Sequence, residues 1–71
     1  MYAKVIVGLN QPEMDKLFDY RIPEGMTVEI GVRVIVPFGS RNKKAEGYVI
    51  SLSEKTEVSA DKIKELLEVL D

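Results

Sequence analysis

The sequence predicts a mainly β (α+β) domain, built as a small and partly open antiparallel β-barrel of the OB-like or SH3-like kind. Three observations predict this class. Short stretches of alternating apolar and polar residues recur along the chain, proline and glycine separate them, and 71 residues suffice for one small domain. Curling a short sheet on itself hides its edges and buries its single apolar face, and we expect at most one short helix, near the C-terminus.

The N-terminal segment predicts a first strand followed by a loop. Residues 2–9 are rich in β-branched side chains and alternate in polarity. The residues of the apolar face are Ala3, Val5, Val7 and Leu9. Residues 10–16 are polar and include a proline, so we expect a loop there.

Residues 17–22 predict the second strand, because they alternate again. Successive strand residues point to opposite faces, which places Phe18, Tyr20 and Ile22 together on one side. The segment 23–25 that follows suits a type I turn with proline in its second position and glycine in its fourth.

A hairpin of two further strands is predicted in the middle of the chain. Valines alternate over residues 32–36, and we expect Pro37 to end this third strand because proline lacks a backbone donor. Residues 38–45 are then a loop, and residues 47–52 are the fourth strand. The loop gives the hairpin a basic tip, formed by Arg41, Lys43 and Lys44.

The C-terminal segment fits two interpretations. Its apolar residues, Ile63, Leu66, Leu67 and Leu70, have the spacing of an amphipathic helix capped by Ser59, and this periodicity favours a helix. Residues 63–69 also alternate, as a strand would.

Composition excludes several classes of function. The chain has no cysteine and no histidine, so it lacks disulfides, thiolate metal ligands and the usual neutral-pH base, and we expect no metal site and no catalytic triad. It has no phosphate-loop or dinucleotide-binding motif. Asp19 and Tyr20 are adjacent and point to opposite faces, which does not make an acid–base pair. With these groups absent, we expect a non-enzymatic domain. Because the sequence has no membrane span and no signal-peptide pattern, we also expect it to be cytoplasmic.

The charge is weakly acidic but unevenly distributed. The net charge is −2 and the pI is about 5.1, which is low for a nucleic-acid-binding protein. Residues 1–50 carry seven basic and six acidic side chains, whereas residues 51–71 carry three basic and six acidic ones. A local positive patch at the hairpin tip is therefore compatible with an acidic chain.

Taken singly, these stretches are typical of ordinary structure: aromatic residues at a spacing of two pack in a core, and a basic tip keeps a hairpin soluble. The order in which they occur is more specific. The chain reads FDYRIPEGM over residues 18–26, GVRVIVPFG over 31–39, GYVISL over 47–52 and LLEVLD over 66–71. In this order and spacing it resembles the 3′-DNA-binding domain of the primosomal replication-restart helicases, the PriA family.

The resemblance covers nearly the whole chain, so it implies that residues 1–71 are one DNA-binding domain of a much longer ATP-dependent 3′ to 5′ DNA helicase. ATP and zinc would belong to parts of that protein outside this chain, and the domain itself would need no cofactor. It would capture the 3′ end of the nascent leading strand at stalled forks and D-loops, whatever the sequence. The expected partners are a single-stranded 3′ end, branched fork DNA and replication-restart proteins. The family's last segment is a strand, which implies a turn or short helix at 59–62 and a strand over 63–70.

The family's binding pocket, carried over by motif, implies a site formed by Phe18, Asp19, Tyr20, Gly39 and Lys64. Physical chemistry supports such a site. A terminal base can stack on either aromatic ring, a glycine lets backbone approach the sugar closely, and a lysine can neutralise the last internucleotide phosphate. The phosphate contacts expected at longer range are those of Arg41, Lys43 and Lys44.

Asp19 is unusual in a site for a polyanion. A carboxylate can accept a hydrogen bond from a 3′-hydroxyl but repels a 3′-phosphate, so we expect this residue to select the end chemistry. The alternative function is a protein–protein interaction module, in which Phe38 and the hairpin contact a partner domain.

Overall fold

The computed structural model of the chain describes residues 1–7 and 16–70. The described residues form six strands: β1 (Tyr2–Val7), β2 (Lys16–Arg21), β3 (Arg33–Phe38), β4 (Lys43–Ser53), β5 (Lys64–Glu65) and β6 (Glu68–Val69). They make one sheet in the order β5-β2-β1-β4-β3-β6. All neighbouring strands are antiparallel except β2 and β5, which are parallel. In this part of the chain no helix has the length and hydropathy that a membrane crossing requires.

The sheet curls into a half-barrel because its two outermost strands are neighbours in the chain. β5 pairs with β2 and β6 pairs with β3, and the two residues between β5 and β6 bond to one of these strands each. The Leu66 N–H donates to the Arg21 carbonyl at 3.0 Å, and the Leu67 N–H donates to the Ile35 carbonyl at 2.9 Å. The predicted small, partly open barrel is confirmed, with one parallel strand pair that the antiparallel prediction did not include.

The C-terminal segment is extended, not helical. Lys62 and Ile63 both donate backbone N–H groups to the Ser59 carbonyl, so the turn expected at 59–62 is confirmed. The strand expected over 63–70 is present as two two-residue strands with a break between them. The helical spacing of the leucines was misleading, because Leu66 is buried in the core and Leu67 is exposed.

The core confirms the predicted inward faces of the strands. Its buried side chains are Ala3, Val5, Val7, Tyr20, Val34, Val36, Val49 and Leu66. Phe18 and Ile22 pack against this cluster and share the inward face of their segment with Tyr20. The predicted loop at 10–16 lies outside the described residues except Lys16, which already belongs to β2, and Leu9 lies outside them as well.

The turn after β2 differs from the prediction by one position. The Met26 N–H donates to the Pro23 carbonyl at 3.1 Å, so Pro23 is the first residue of the turn and Gly25 is the third. Gly25 has a φ of 88°, which is the requirement of a type II turn at its third position. The expected type I turn was therefore wrong.

The prediction that Pro37 ends the third strand was also wrong. β3 continues through Pro37 to Phe38, β4 begins at Lys43, and the connecting turn is only residues 39–42. Alternate residues of β3 direct their backbone groups away from β4, and β6 reaches only Val34 and Ile35 on that side. Pro37 thus lies at an unpaired edge, where its missing donor breaks no ladder bond.

The close contact between β1 and β4 is made at Gly47. A Cβ on this residue would lie 2.5 Å from the Ile6 carbonyl oxygen and 2.6 Å from Val5 Cγ1. Because one of these neighbours is backbone, we expect Gly47→Ala to lower the free energy of unfolding by about 1–3 kcal/mol in urea denaturation.

The matched control for this prediction is Gly25→Ala, where a Cβ meets nothing within 4 Å but φ is 88°. Asparagine tolerates this backbone conformation better than alanine does. Gly25→Asn should therefore recover part of the stability lost in Gly25→Ala, whereas Gly47→Asn should recover none. Equal recovery at the two positions would contradict the steric explanation for Gly47.

Candidate binding site at the open side of the barrel

Within the described residues the barrel has an open seam, because its closing strands are short. β5 covers β2 only at Tyr20 and Arg21, and β6 covers β3 only at Val34 and Ile35. Beyond these pairs a cleft of about 440 Å³ lies between residues 17–20 of β2 and the end of β3. It is lined by Phe18, Asp19, Tyr20, Gly39 and Lys64, and also by Lys4, Leu17, Phe38, Glu57, Val58 and Lys62.

All five residues of the predicted site therefore border the same cleft. Their binding to DNA stays a prediction. The other six were not expected in it. Lys4 enters because the β1–β2 register sets it opposite Asp19, and Lys62 enters because the turn at 59–62 lies beside the seam. From the sequence, Phe38 is expected only to contact a protein partner, whereas the structure places it in the cleft.

The two aromatic residues of β2 differ in accessibility. Phe18 is half-buried and contacts Phe38 edge to face, with ring centroids 5.2 Å apart and an interplanar angle of 82°. Tyr20 is only 3% exposed, and its hydroxyl donates to the Pro37 carbonyl at 3.0 Å. Burial raises the pKa of Tyr20 to about 12, so the hydroxyl remains a donor at neutral pH. Of the two rings expected to stack on a base, only that of Phe18 is accessible, and Tyr20 instead connects β2 to β3.

The Asp19 carboxylate is held on both oxygens. Thr56 Oγ1 donates to Oδ2 at 2.5 Å, and Lys4 Nζ lies 3.1 Å from Oδ1. These two partners, Thr56 foremost, lower the pKa of Asp19 against the opposing effect of burial. An ionised carboxylate has about four acceptor positions, so Asp19 keeps the capacity to accept a further hydrogen bond from a ligand.

Gly39 and Lys64 join the two sides of the cleft. Lys64 Nζ donates to the Gly39 carbonyl at 2.8 Å, and the Asn42 N–H donates to the same oxygen at 3.2 Å. Gly39 has a φ of 77°, a conformation that favours glycine, and a Cβ there would meet nothing within 4 Å. Backbone conformation therefore gives a second reason for glycine here, besides the close approach of a ligand.

The basic residues of the hairpin separate into two groups. Arg41 and Lys43 line a second hollow of about 310 Å³, which shares Phe38 and Gly39 with the cleft. Lys44 lines neither hollow. That all three contact phosphate at longer range stays a prediction, and the structure adds that Lys43 and Lys44 are strand residues that point to opposite faces of β4.

Small barrels with an accessible aromatic ring and basic side chains beside an open groove form a class of single-stranded nucleic-acid-binding modules. The chain belongs to the 3′ DNA-binding domain (3′BD) family of PriA, whose model matches residues 4–71. This confirms the family that residues 18–26 and 31–39 indicated.

Two similar relatives are replication restart proteins named PriA. The chain is 39% identical over 72 residues to that of Bacillus subtilis (strain 168), an alignment that covers 99% of this chain and 9% of the relative. It is 40% identical over 67 residues to that of Haemophilus influenzae (strain ATCC 51907 / DSM 11121 / KW20 / Rd), covering 94% of this chain and 9% of the relative. The chain thus spans about a tenth of the length of these curated relatives.

The hydrogen bond from Thr56 predicts a pH dependence. Because the pKa of Asp19 is lowered in the folded chain, its ionised form contributes stability above the ordinary value of 3.8, and this contribution is lost as the pH falls through the folded value. Thr56→Val should raise the pKa of Asp19 and reduce the loss of stability on acidification, as measured by NMR titration of the Asp19 carboxyl carbon and by denaturation at each pH.

Ser53→Ala is the control, since the Ser53 hydroxyl also accepts a backbone N–H two residues ahead but forms no hydrogen bond with Asp19. An unchanged Asp19 titration in Thr56→Val would contradict the role assigned to this hydrogen bond.

Proposed function

We propose that this domain captures the 3′ end of a nascent leading strand at stalled forks and D-loops, without sequence specificity. The observation that carries the proposal is the meeting of the Phe18 ring, the Asp19 carboxylate and the bonded pair of Gly39 and Lys64 around one cleft. A volume of about 440 Å³ is at the lower end of small-ligand pockets, which suits one nucleotide better than several.

The terminal base stacks on Phe18. Every base has an aromatic face, so this contact contributes about 1–3 kcal/mol whichever base ends the strand. Phe38 supports the ring from its side, because the edge-to-face contact limits its rotation. The preference for a strand end, independent of sequence, follows from this contact together with the size of the cleft.

Charge selects the chemistry of the end. The cleft is lined by the cations Lys4, Lys62 and Lys64 and by the anions Asp19 and Glu57, and Lys4 is paired with Asp19. Lys64 keeps donors free beyond its bond to Gly39 and neutralises the last internucleotide phosphate. Asp19 accepts a hydrogen bond from the 3′-hydroxyl, whereas a 3′-phosphate in the same position would meet a carboxylate.

In the proposed cellular role, the domain belongs to a longer cytoplasmic protein that restarts replication, as the names of its relatives state for those proteins. That protein is an ATP-dependent helicase with a zinc-binding part, and both chemistries lie outside this chain. Capturing the 3′ end orients the motor on the fork and brings it to other replication-restart proteins.

The alternative of a protein-interaction module used Phe38 and the hairpin as its contact surface. Phe38 is half-buried and packs edge to face on Phe18, and this arrangement does not favour a protein contact over DNA binding. The same experiments test this alternative, which predicts association that is insensitive to salt and shows no preference for DNA ends.

Phe18→Leu tests the stacking contact. Leucine keeps apolar packing against the core but offers no ring, so affinity for a 3′-hydroxyl oligonucleotide should fall by roughly 5- to 150-fold, the equivalent of about 1–3 kcal/mol, in fluorescence anisotropy. Tyr48→Leu is the matched control, because Tyr48 is an exposed aromatic residue outside the cleft. Equal losses of affinity in the two variants would refute the assignment of Phe18 as the residue on which the terminal base stacks.

The selection of the end is tested with forks whose leading strand ends at the branch in a hydroxyl or a phosphate, or has no end there, at two salt concentrations. We expect the 3′-phosphate to weaken binding at least as much as Asp19→Ala does, and affinity to fall as salt rises. Equal binding to the hydroxyl and phosphate ends would refute the proposed role of Asp19. Equal binding to all three forks would refute capture of the 3′ end.

A further inference from the structure

The second hollow continues the cleft across the turn between β3 and β4. Phe38 and Gly39 line both depressions, and Ser40, Arg41, Lys43 and Ala45 complete the second one. Lys43 is the strand partner of Phe38, which lines both hollows. A ligand that leaves the cleft past Gly39 therefore meets the second hollow next.

Of the two adjacent lysines, Lys43 and Lys44, only one can face this hollow. Along β4, Lys43 shares a face with Ala45 and with the buried Gly47, whereas Lys44 shares the opposite face with Glu46. Arg41 lies in the turn itself. Within residues 1–7 and 16–70, neither Arg41 nor Lys43 has an acidic group at ion-pair distance, so their charges are not neutralised by that part of the chain.

The position of these cations relative to the cleft is fixed by hydrogen bonds. The Gly39 carbonyl accepts from Asn42 within the turn and from Lys64 across the cleft. Gly39 and Asn42 both have positive φ, which fixes the direction in which the turn leaves β3. The turn is consequently held at a defined distance from the site of the terminal nucleotide.

We propose that Arg41 and Lys43 form a second phosphate subsite, which holds the backbone of the captured strand on the 5′ side of its terminal nucleotide. The strand leaves the cleft across Gly39 and continues over the β3–β4 turn, and Lys44 takes no part. This proposal rests on the proposed function, since it needs the 3′-terminal nucleotide to occupy the cleft. It adds the direction of the strand and a contact beyond the terminal nucleotide.

The test uses 3′-hydroxyl oligothymidylates from a dinucleotide to an octanucleotide, with the combined variant Arg41→Gln and Lys43→Gln. Wild-type affinity should rise with length beyond the dinucleotide and then level off, and the combined variant should lose that rise while binding the dinucleotide as the wild type does. The slope of log affinity against log salt for the octanucleotide should become shallower by about 0.7 for each lost phosphate contact.

Lys44→Gln is the matched control, and we expect its length dependence and salt slope to equal those of the wild type. All three positions are exposed, and thermal unfolding verifies that the variants remain folded. An equal effect of Lys44→Gln would overturn the proposal in favour of general electrostatic attraction, and so would unchanged length dependence in the combined variant.

A neutral methylphosphonate placed at successive linkages locates the contact. Neutralising one linkage on the 5′ side of the last should weaken wild-type binding but leave binding by the combined variant unaffected. If no linkage behaves in this way, the second subsite is refuted. The proposed function is judged separately, by the preference for forks whose leading strand ends at the branch over forks without an end there. If that preference persists while the combined variant behaves as the wild type, only the second subsite is refuted. If it is absent, both proposals fail.

Discussion

The constraint on which the rest of the structure depends is that residues 64–69 must pair with two different strands. Two residues pair with β2 and two pair with β3, and of the two between them Leu66 bonds to β2 and Leu67 bonds to β3. This closes the sheet enough to bury the valine core, but it cannot cover the full length of either strand. The cleft is the part of the seam that remains uncovered, so the same pairing determines both the stability of the barrel and the location of its site.

The site uses this seam through contacts that cross it. The Tyr20 hydroxyl reaches the Pro37 carbonyl, and Lys64 reaches the Gly39 carbonyl, so side chains connect β2 and β5 to β3 where backbone pairing is absent. The Tyr20 ring and the start of the turn are thereby held in place before any ligand arrives, as the Asp19 carboxylate is by Thr56 and Lys4. Preorganisation of this kind limits the ordering cost of binding.

The acidic net charge of the chain is a poor guide to its surface. Acidic side chains pair with some of the cations: Asp19 with Lys4, Glu65 with Arg21 and Glu46 with Arg33. Among the described residues that line the cleft or the second hollow, Lys4 is in one of these pairs, whereas four cations are in none of them: Arg41, Lys43, Lys62 and Lys64. The local distribution of charge, and not its sum, determines what a surface attracts.

The sequence by itself determined the strands, their inward faces and the family, because a two-residue period and an ordered set of motifs are properties of the chain alone. Only the tertiary structure decided the rest. Phe18 and Tyr20 have the same phase, yet Tyr20 is sealed because β5 pairs beside it, whereas Phe18 is accessible because β5, which runs parallel to β2, begins only opposite Tyr20. Local spacing favoured a helix for the last segment, but the open edges of two strands required an extended partner. Which lysine faces the second hollow likewise follows from where β4 begins, a boundary set by its pairing with β3.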